Sequence, residues 1–125
     1  MEQQIRRLPD SELEVMQAVW DCNPPVSRSD IEDKIYSKHP MAETTLQTLL
    51  ARLTEKAFLR VEIRKRKKFY TPCISREKYQ IAQSRSFFQK VCGGNLSAFA
   101  NALCEGGLTK EEVAELRRLL EGGQL

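Results

Sequence analysis

The sequence predicts a mainly α-helical fold, in which a winged helix-turn-helix unit comes first and three further helices follow. Four leucines recur at the spacing of one helix face, namely Leu46, Leu49, Leu50 and Leu53. Two shorter helical patterns precede them, and an alternating cationic segment with the period of a β-hairpin follows and ends at Pro72. We therefore assign residues 1–72 to one domain and residues 73–125 to a second, helical domain.

Capping residues and prolines delimit the first two helices. Ser11 and Glu14 have the spacing of a capping box, which predicts that the first helix begins there. This helix must end before Pro24-Pro25, because two prolines cannot continue it. Ser27 and Asp30 repeat the capping spacing, so a short second helix is predicted to begin after Ser27.

A third helix is predicted from about Thr44 to about Lys56, after a break at His39-Pro40. Its four leucines are expected in the core, so small hydroxyl and amide side chains occupy the opposite face. A helix that is buried on one side and polar on the other suits the major groove of duplex DNA, where such side chains read base edges. The alternative is that this polar face is only solvated.

A two-stranded wing is predicted after the third helix. Leu59, Val61 and Ile63 alternate with charged residues, which is the period of a half-buried strand. The return strand is Phe69-Tyr70-Thr71, whose aromatic and β-branched side chains suit a sheet. No Asn-Gly or Asp-Gly pair lies between the strands, so the sequence leaves the geometry of the turn open.

The positive charge of the chain is concentrated in this wing. Residues 60–68 hold six Lys or Arg and one Glu, whereas residues 1–59 hold seven Lys or Arg and ten Asp or Glu. A local positive field beside a polar helix face is what a protein needs to grip the phosphates of duplex DNA.

We expect twelve residues to contact DNA. The start of the second helix supplies backbone contacts, the third helix reads base edges and nearby phosphates, and the wing clamps phosphate or the minor groove. The residues are Ser27, Arg28, Thr44, Thr45, Gln47, Thr48, Arg52, Arg64, Lys65, Arg66, Lys67 and Lys68. For Arg52, pairing with an acidic neighbour is the alternative.

The segment after Pro72 carries three apolar helical stripes. Ser75 caps the first, which Gly93-Gly94 ends, and Thr109 with Glu112 forms a capping box for the last. Three helices of this size have little to bury against on their own, so a second copy is the expected partner in an isologous dimer. The expected interface residues are Phe88, Val91, Leu96, Phe99, Leu103, Val113, Leu116 and Leu120.

Composition argues against other classes of protein. No run of about 18 apolar residues exists, so no membrane insertion is expected, and the charged N-terminus is not a signal peptide, which predicts a cytoplasmic protein. The four cysteines are widely spaced and His39 is the single histidine, so neither a metal site nor a cofactor is expected. No nucleophile-elbow or phosphate-loop pattern supports an enzyme.

The motifs resemble those of the penicillinase repressor and methicillin-resistance repressor family, which includes copper-responsive relatives. The motifs that carry the resemblance are Glu14-Val15-Met16, Val19-Trp20, the run from Thr45 to Leu53, Lys56 and Tyr70-Thr71-Pro72. The resemblance extends from about Leu8 to about Leu120 and implies a dimeric winged-helix repressor that binds an inverted-repeat operator.

The resemblance also implies a route of induction. In many members of the family, repression ends when the repressor is cut within its dimerisation domain, after a membrane sensor peptidase detects a β-lactam. Alignment with those members places the bond at Asn101-Ala102, where Ala102 replaces an aromatic residue. The peptidase is the expected partner, whether it acts directly or indirectly.

Three further departures from the family pattern affect the interpretation. Ala57 follows the third helix where the family usually has Gly, and a left-handed conformation there would cost roughly 1 kcal/mol. The wing is Lys-rich where Gly-Arg is common, and the C-terminal C-x-C of copper-responsive members is absent, which disfavours copper sensing by that route. The alternatives to the implied function are a protein-interaction module whose basic wing meets an acidic surface, and a repressor that responds to another signal.

Overall fold

A computed structural model describes residues 5–38 and 40–122 of the 125-residue chain. The elements in chain order are α1 Asp10–Trp20, β1 Val26–Ser27, α2 Arg28–Tyr36, α3 Glu43–Glu55, β2 Leu59–Arg64, β3 Lys67–Pro72, α4 Arg76–Lys90, α5 Leu96–Glu105 and α6 Lys110–Glu121. The predicted mainly α-helical winged-helix fold is confirmed. The break predicted at His39 and the chain terminus before Ile5 lie outside the described residues.

The chain divides into two compact units, of which the first ends at Gln83 and the second begins at Ser84. The first contains the winged helix and the beginning of α4. The second contains the rest of α4 with α5 and α6.

The N-cap of the first helix lies two residues before Ser11, the cap that the sequence predicts. Pro9 is its N-cap, no side chain caps it, and the Leu13 N–H donates to the Pro9 carbonyl over 2.9 Å. The capping box predicted at Ser11 and Glu14 is therefore wrong, because Ser11 already lies in the first turn. Proline suits the position, since its φ of −56° and ψ of 153° direct the chain into the helix and its missing N–H leaves no donor unsatisfied.

The second helix is capped as predicted, and the chain just before it forms an unpredicted strand. The Ser27 hydroxyl accepts a hydrogen bond of 3.1 Å from the Asp30 N–H. Val26 and Ser27 pair with Tyr70 and Phe69 in an antiparallel register, which gives a three-stranded sheet of order β1-β3-β2. Two residues are too few to show an alternating pattern, so no sequence signal marks β1.

The core of the first unit lies between α1, α2, α3 and the sheet. The four leucines of α3 are buried, as predicted. Other members of the core are Leu8, Val15, Met16, Ala18, Val19, Val26, Ile31, Ile35, Phe58, Leu59, Tyr70 and Tyr79. This packing holds α3 in place, so that its polar face remains on the surface.

The first turns of α4 belong to this core, beyond the boundary predicted at Pro72. Tyr79 is buried, its hydroxyl oxygen accepts a 2.9 Å hydrogen bond from the Leu8 N–H, and its ring lies 5.8 Å from that of Phe58. Arg76 donates to the Asp21 carboxylate over 2.6 Å. The division of function between residues 1–72 and 73–125 stays a prediction.

The second unit packs around three phenylalanines. The Phe99 ring lies 5.5 Å from that of Phe88 and 6.0 Å from that of Phe87. The capping box predicted for α6 is confirmed, since the Thr109 hydroxyl accepts from the Glu112 N–H and the Glu112 carboxylate accepts from the Thr109 N–H. All residues of α5 and α6 are described, and none of them is buried.

Candidate nucleic-acid interface

The exposed face of α3 carries every α3 residue that the sequence predicts to contact DNA. They are Thr44, Thr45, Gln47, Thr48 and Arg52. The Thr48 hydroxyl donates a 2.9 Å hydrogen bond to the Thr44 carbonyl within the helix. Because its proton is engaged in this way, Thr48 offers a partner an acceptor oxygen and a methyl group. A base amino group or a thymine methyl group would match these two features.

The residues predicted at the start of α2 have partners within the protein. Arg28 donates a hydrogen bond of 2.9 Å to the Glu43 carbonyl at the first turn of α3 and another of 3.2 Å to the Glu32 carboxylate. Ser27 caps α2 through the Asp30 N–H. The Arg28 contact sets α2 against the beginning of α3, whereas the Ser27 cap fixes the beginning of α2 itself. Contact of either residue with the DNA backbone stays a prediction.

The end of α3 is fixed by a left-handed residue. Ala57 has a φ of +66°. Its N–H donates a hydrogen bond of 3.1 Å to the Thr54 carbonyl, and the Phe58 N–H donates one of 2.9 Å to the Leu53 carbonyl. This pair of bonds is a Schellman motif, and Leu53 and Phe58 are both buried beneath it. Ala57 therefore has the left-handed conformation that the sequence had left conditional. The motif fixes the angle at which the chain leaves α3 for the wing.

An ion pair between a buried carboxylate and a partly exposed lysine, which the sequence reasoning missed, joins α1 to the end of α3. Glu12 is only 3% exposed, and its Oε1 lies 2.5 Å from Lys56 Nζ. A buried carboxylate needs such a partner, because leaving it unpaired would be strongly destabilising. The two residues lie 44 positions apart, so no local pattern links them.

The wing turns through two cationic residues. Arg64 pairs with Lys67, and the residues between them, Lys65 and Arg66, have φ of +49° and +68°. Two left-handed residues between paired strand ends define a two-residue hairpin of type I′, which Asn-Gly usually forms. Each non-glycine residue in this region costs about 1 kcal/mol or more. The wing tip therefore presents two cations where turn residues with better left-handed propensity are usual.

The wing cations lie on both faces of the hairpin as well as at its tip. Directly paired residues share a face, and successive residues alternate between faces. Lys68 is opposite Ile63 and shares its face, whereas Arg64 and Lys67 lie on the other face. Arg64 also lies 3.2 Å from the Glu62 carboxylate. Adjacent lysines in the sequence thus point to opposite sides of the wing.

Burial raises the pKa of two groups in the first unit, Tyr70 and Cys22. For Tyr70, which lies at the base of the wing, the pKa is raised because burial disfavours the charged phenolate. Burial also raises the pKa of the Cys22 thiol, whose sulfur lies 3.4 Å from the Ala18 carbonyl oxygen. A protonated thiol is a poor nucleophile and a poor metal ligand, so Cys22 behaves as a packing residue.

Within residues 5–38 and 40–122, no helix is both long and apolar enough to span a bilayer. Among the same residues, no group of three or more His, Cys, Asp or Glu is arranged to hold a metal ion.

A winged helix that exposes a polar third helix beside a cationic hairpin defines the class of winged-helix DNA-binding proteins. Within that class, the sequence profile of the penicillinase repressor family matches residues 8–122. The chain belongs to this family of DNA-binding transcriptional repressors, which are not enzymes.

Individual relatives agree with this assignment. The chain is 25% identical over 111 residues to a penicillinase repressor of Staphylococcus aureus. The aligned region covers 88% of this chain and 87% of the relative. It is 29% identical over 121 residues to an uncharacterized 16.5 kDa protein in the ptsI 3′ region of Latilactobacillus sakei. That match covers 96% of this chain and 82% of the relative. A solution structure of the Bacillus licheniformis BlaI monomeric form in complex with the blaP half-operator is similar with a TM-score of 0.50 and 29% identity, over 60% of this chain and 90% of that one.

Proposed function

We propose that this protein is a homodimeric repressor that binds an inverted-repeat operator in duplex DNA. The observation that carries the proposal is the exposed polar face of α3, connected through the Schellman motif at Ala57 to a wing with cations on both faces. The similar BlaI structure contains a half-operator, which supports the same kind of ligand for this chain.

Each part of this surface has a distinct task in the proposal. Gln47 and Thr48 read base edges in the major groove, since an amide can bind adenine through two hydrogen bonds. Thr44, Thr45 and Arg52 hold base edges or nearby phosphates. The cations of the wing hold the flanking backbone, which supplies affinity without sequence information.

The dimer partner is a second copy bound through the second unit. A groove of about 370 Å³ between α5 and α6 is lined mainly by apolar side chains, among them Leu103, Val113, Leu116 and Leu120. Val91 and Leu96 are also exposed. The remaining predicted interface residues, Phe88 and Phe99, are half-buried, and their rings lie 5.5 Å apart.

Induction by proteolysis is the finer part of the proposal. Asn101 and Ala102 are exposed in the middle of α5. A peptidase binds its substrate as an extended strand, so α5 must open before cleavage at this bond. Within one chain no residue of α5 is buried, so opening of this helix disrupts mainly the ring contacts of Phe99 with Phe87 and Phe88. Cleavage would separate α6 from the rest of the chain and thereby release the operator of β-lactam-resistance-type genes.

Selection of duplexes from a random library by the full-length protein tests the DNA-binding part. We expect enrichment of two inverted half-sites and a complex of two chains for each duplex by sedimentation. Gln47→Ala is the matched control, because it should enrich the half-sites less strongly while keeping the salt-sensitive binding to mixed-sequence DNA. If the protein enriches no sequence, the DNA-binding proposal fails, and the alternative of a protein-interaction module would explain the basic wing.

A further inference from the structure

The apolar alternation of β2 continues past the end of the core. Leu59 is 2% exposed, Val61 is 36% exposed and Ile63 is 69% exposed, although all three lie on the same face of the strand. The hydrophobic face of the hairpin therefore extends into solvent at the wing. Nothing in the part of the chain that the structure describes buries Ile63.

The surroundings of Ile63 are cationic. Lys68 pairs directly with it across the hairpin and shares its face, and Arg64 follows it in the chain. The left-handed turn at Lys65 and Arg66 begins two residues later. An isolated exposed isoleucine needs no explanation, but here the side chain lies within the group of cations that the proposed function places against DNA.

This arrangement matches the chemistry of the DNA backbone. Along each strand of a duplex, anionic phosphates alternate with deoxyribose rings, whose C–H groups form the walls of the minor groove. Side chains opposite each other in a hairpin have Cβ atoms about 5 Å apart, so Ile63 and Lys68 present an apolar group beside a cation.

We propose that Ile63 packs on deoxyribose of the DNA backbone beside a phosphate held by Lys68. This inference rests on the proposed DNA-binding function and adds an apolar, salt-independent contribution to affinity. Isoleucine suits the task because its β-branched side chain is stiff and loses little rotamer freedom on binding. Contact with sugar carries no base information, so the contribution is equal for operator and mixed-sequence DNA.

Substitution of Ile63 in the full-length protein tests this inference. Ile63→Ser should weaken binding to a mixed-sequence duplex by about fivefold to tenfold, the factor expected for roughly 50 Å² of apolar contact. The slope of log affinity against log salt should stay at the wild-type value, because no phosphate contact is lost. Ile63→Val should keep most of the affinity. By contrast, Lys68→Ala should reduce the slope by about 0.9.

Ile81→Ser is the matched control, since Ile81 is 67% exposed and lies on α4 outside the wing. It should bind duplex as the wild type does. Wild-type affinity in Ile63→Ser, an equal loss in Ile81→Ser, or a reduced salt slope in Ile63→Ser would overturn the inference. If the wild-type protein itself binds no duplex, the proposed function fails first, and the two failures are therefore distinguishable.

Discussion

Ala57 shows how a single backbone conformation limits the stability of this protein. It adopts φ of +66° between α3 and β2, where glycine has no steric penalty. We predict that Ala57→Gly raises the free energy of unfolding by about 1 kcal/mol, measured by urea denaturation. Ala51→Gly, at an exposed position inside α3, is the control and should lower it by about 1 kcal/mol. Destabilisation by both changes would contradict the role assigned to Ala57.

Residue patterns drew attention to the conformation of Ala57 but gave no signal at the wing turn. The family usually has glycine after the third helix, so a left-handed conformation was considered at Ala57 and its cost stated. Lys65 and Arg66 carry no such signal, because lysine and arginine rarely adopt positive φ. Their conformation follows from the pairing of Arg64 with Lys67, which leaves two residues to reverse the chain. Tertiary pairing therefore overrides local preference at the wing tip.

At the scale of elements, one ion pair attaches the beginning of α4 to α1. The hydrogen bond from Arg76 holds the pKa of Asp21 below its usual value, while partial burial opposes the shift. A carboxyl group whose pKa is lower in the folded state stabilises the protein above its unfolded pKa. That contribution is lost as the pH falls through the folded value.

Asp21→Asn should therefore lower stability at neutral pH and flatten the decline of stability below about pH 5. Urea denaturation across this range measures the effect. Asp33→Asn, an exposed α2 residue, serves as the control and should follow the wild-type profile. An identical acid profile in Asp21→Asn and the wild type would show that the pair with Arg76 is not coupled to folding.

The elements that could be predicted from sequence are those with a local signal. The leucine repeat marked α3, and the Thr109–Glu112 pair marked the beginning of α6. The strand β1 was missed because it has only two residues, and the Glu12–Lys56 pair was missed because it is long-range. Likewise, the α3 surface residues were predictable from helical period, whereas the internal partners of Arg28 depend on how α2 meets α3.

At the scale of the whole molecule, the apolar groove between α5 and α6 should determine the oligomeric state. Leu116 lines this groove, so Leu116→Asp would place an unpaired carboxylate in the proposed interface at a cost of several kcal/mol. We predict a monomer by sedimentation at micromolar concentration and much weaker operator binding. Ala114→Asp, at an exposed α6 position outside the groove lining, should remain dimeric. A Leu116→Asp dimer with normal binding would contradict this interface.

A truncated chain is a less suitable test of assembly if it ends at Pro72. Such a chain would lose Tyr79, which is 6% exposed and packs against Phe58 and Trp20 in the core of the first unit. Weak binding could then reflect unfolding. Truncation after Gln83 keeps these contacts and follows the division of the chain into its two units.

In the proposed function, the exposed face of α3 reads sequence while the wing supplies general affinity. The most direct test compares wild type and Gln47→Ala for the ratio of affinity between a selected duplex and a mixed-sequence duplex. We predict that the substitution narrows this ratio by the equivalent of about 1 to 3 kcal/mol and leaves mixed-sequence binding and its salt slope unchanged. A normally folded Gln47→Ala protein with the wild-type ratio would contradict the claim for this residue.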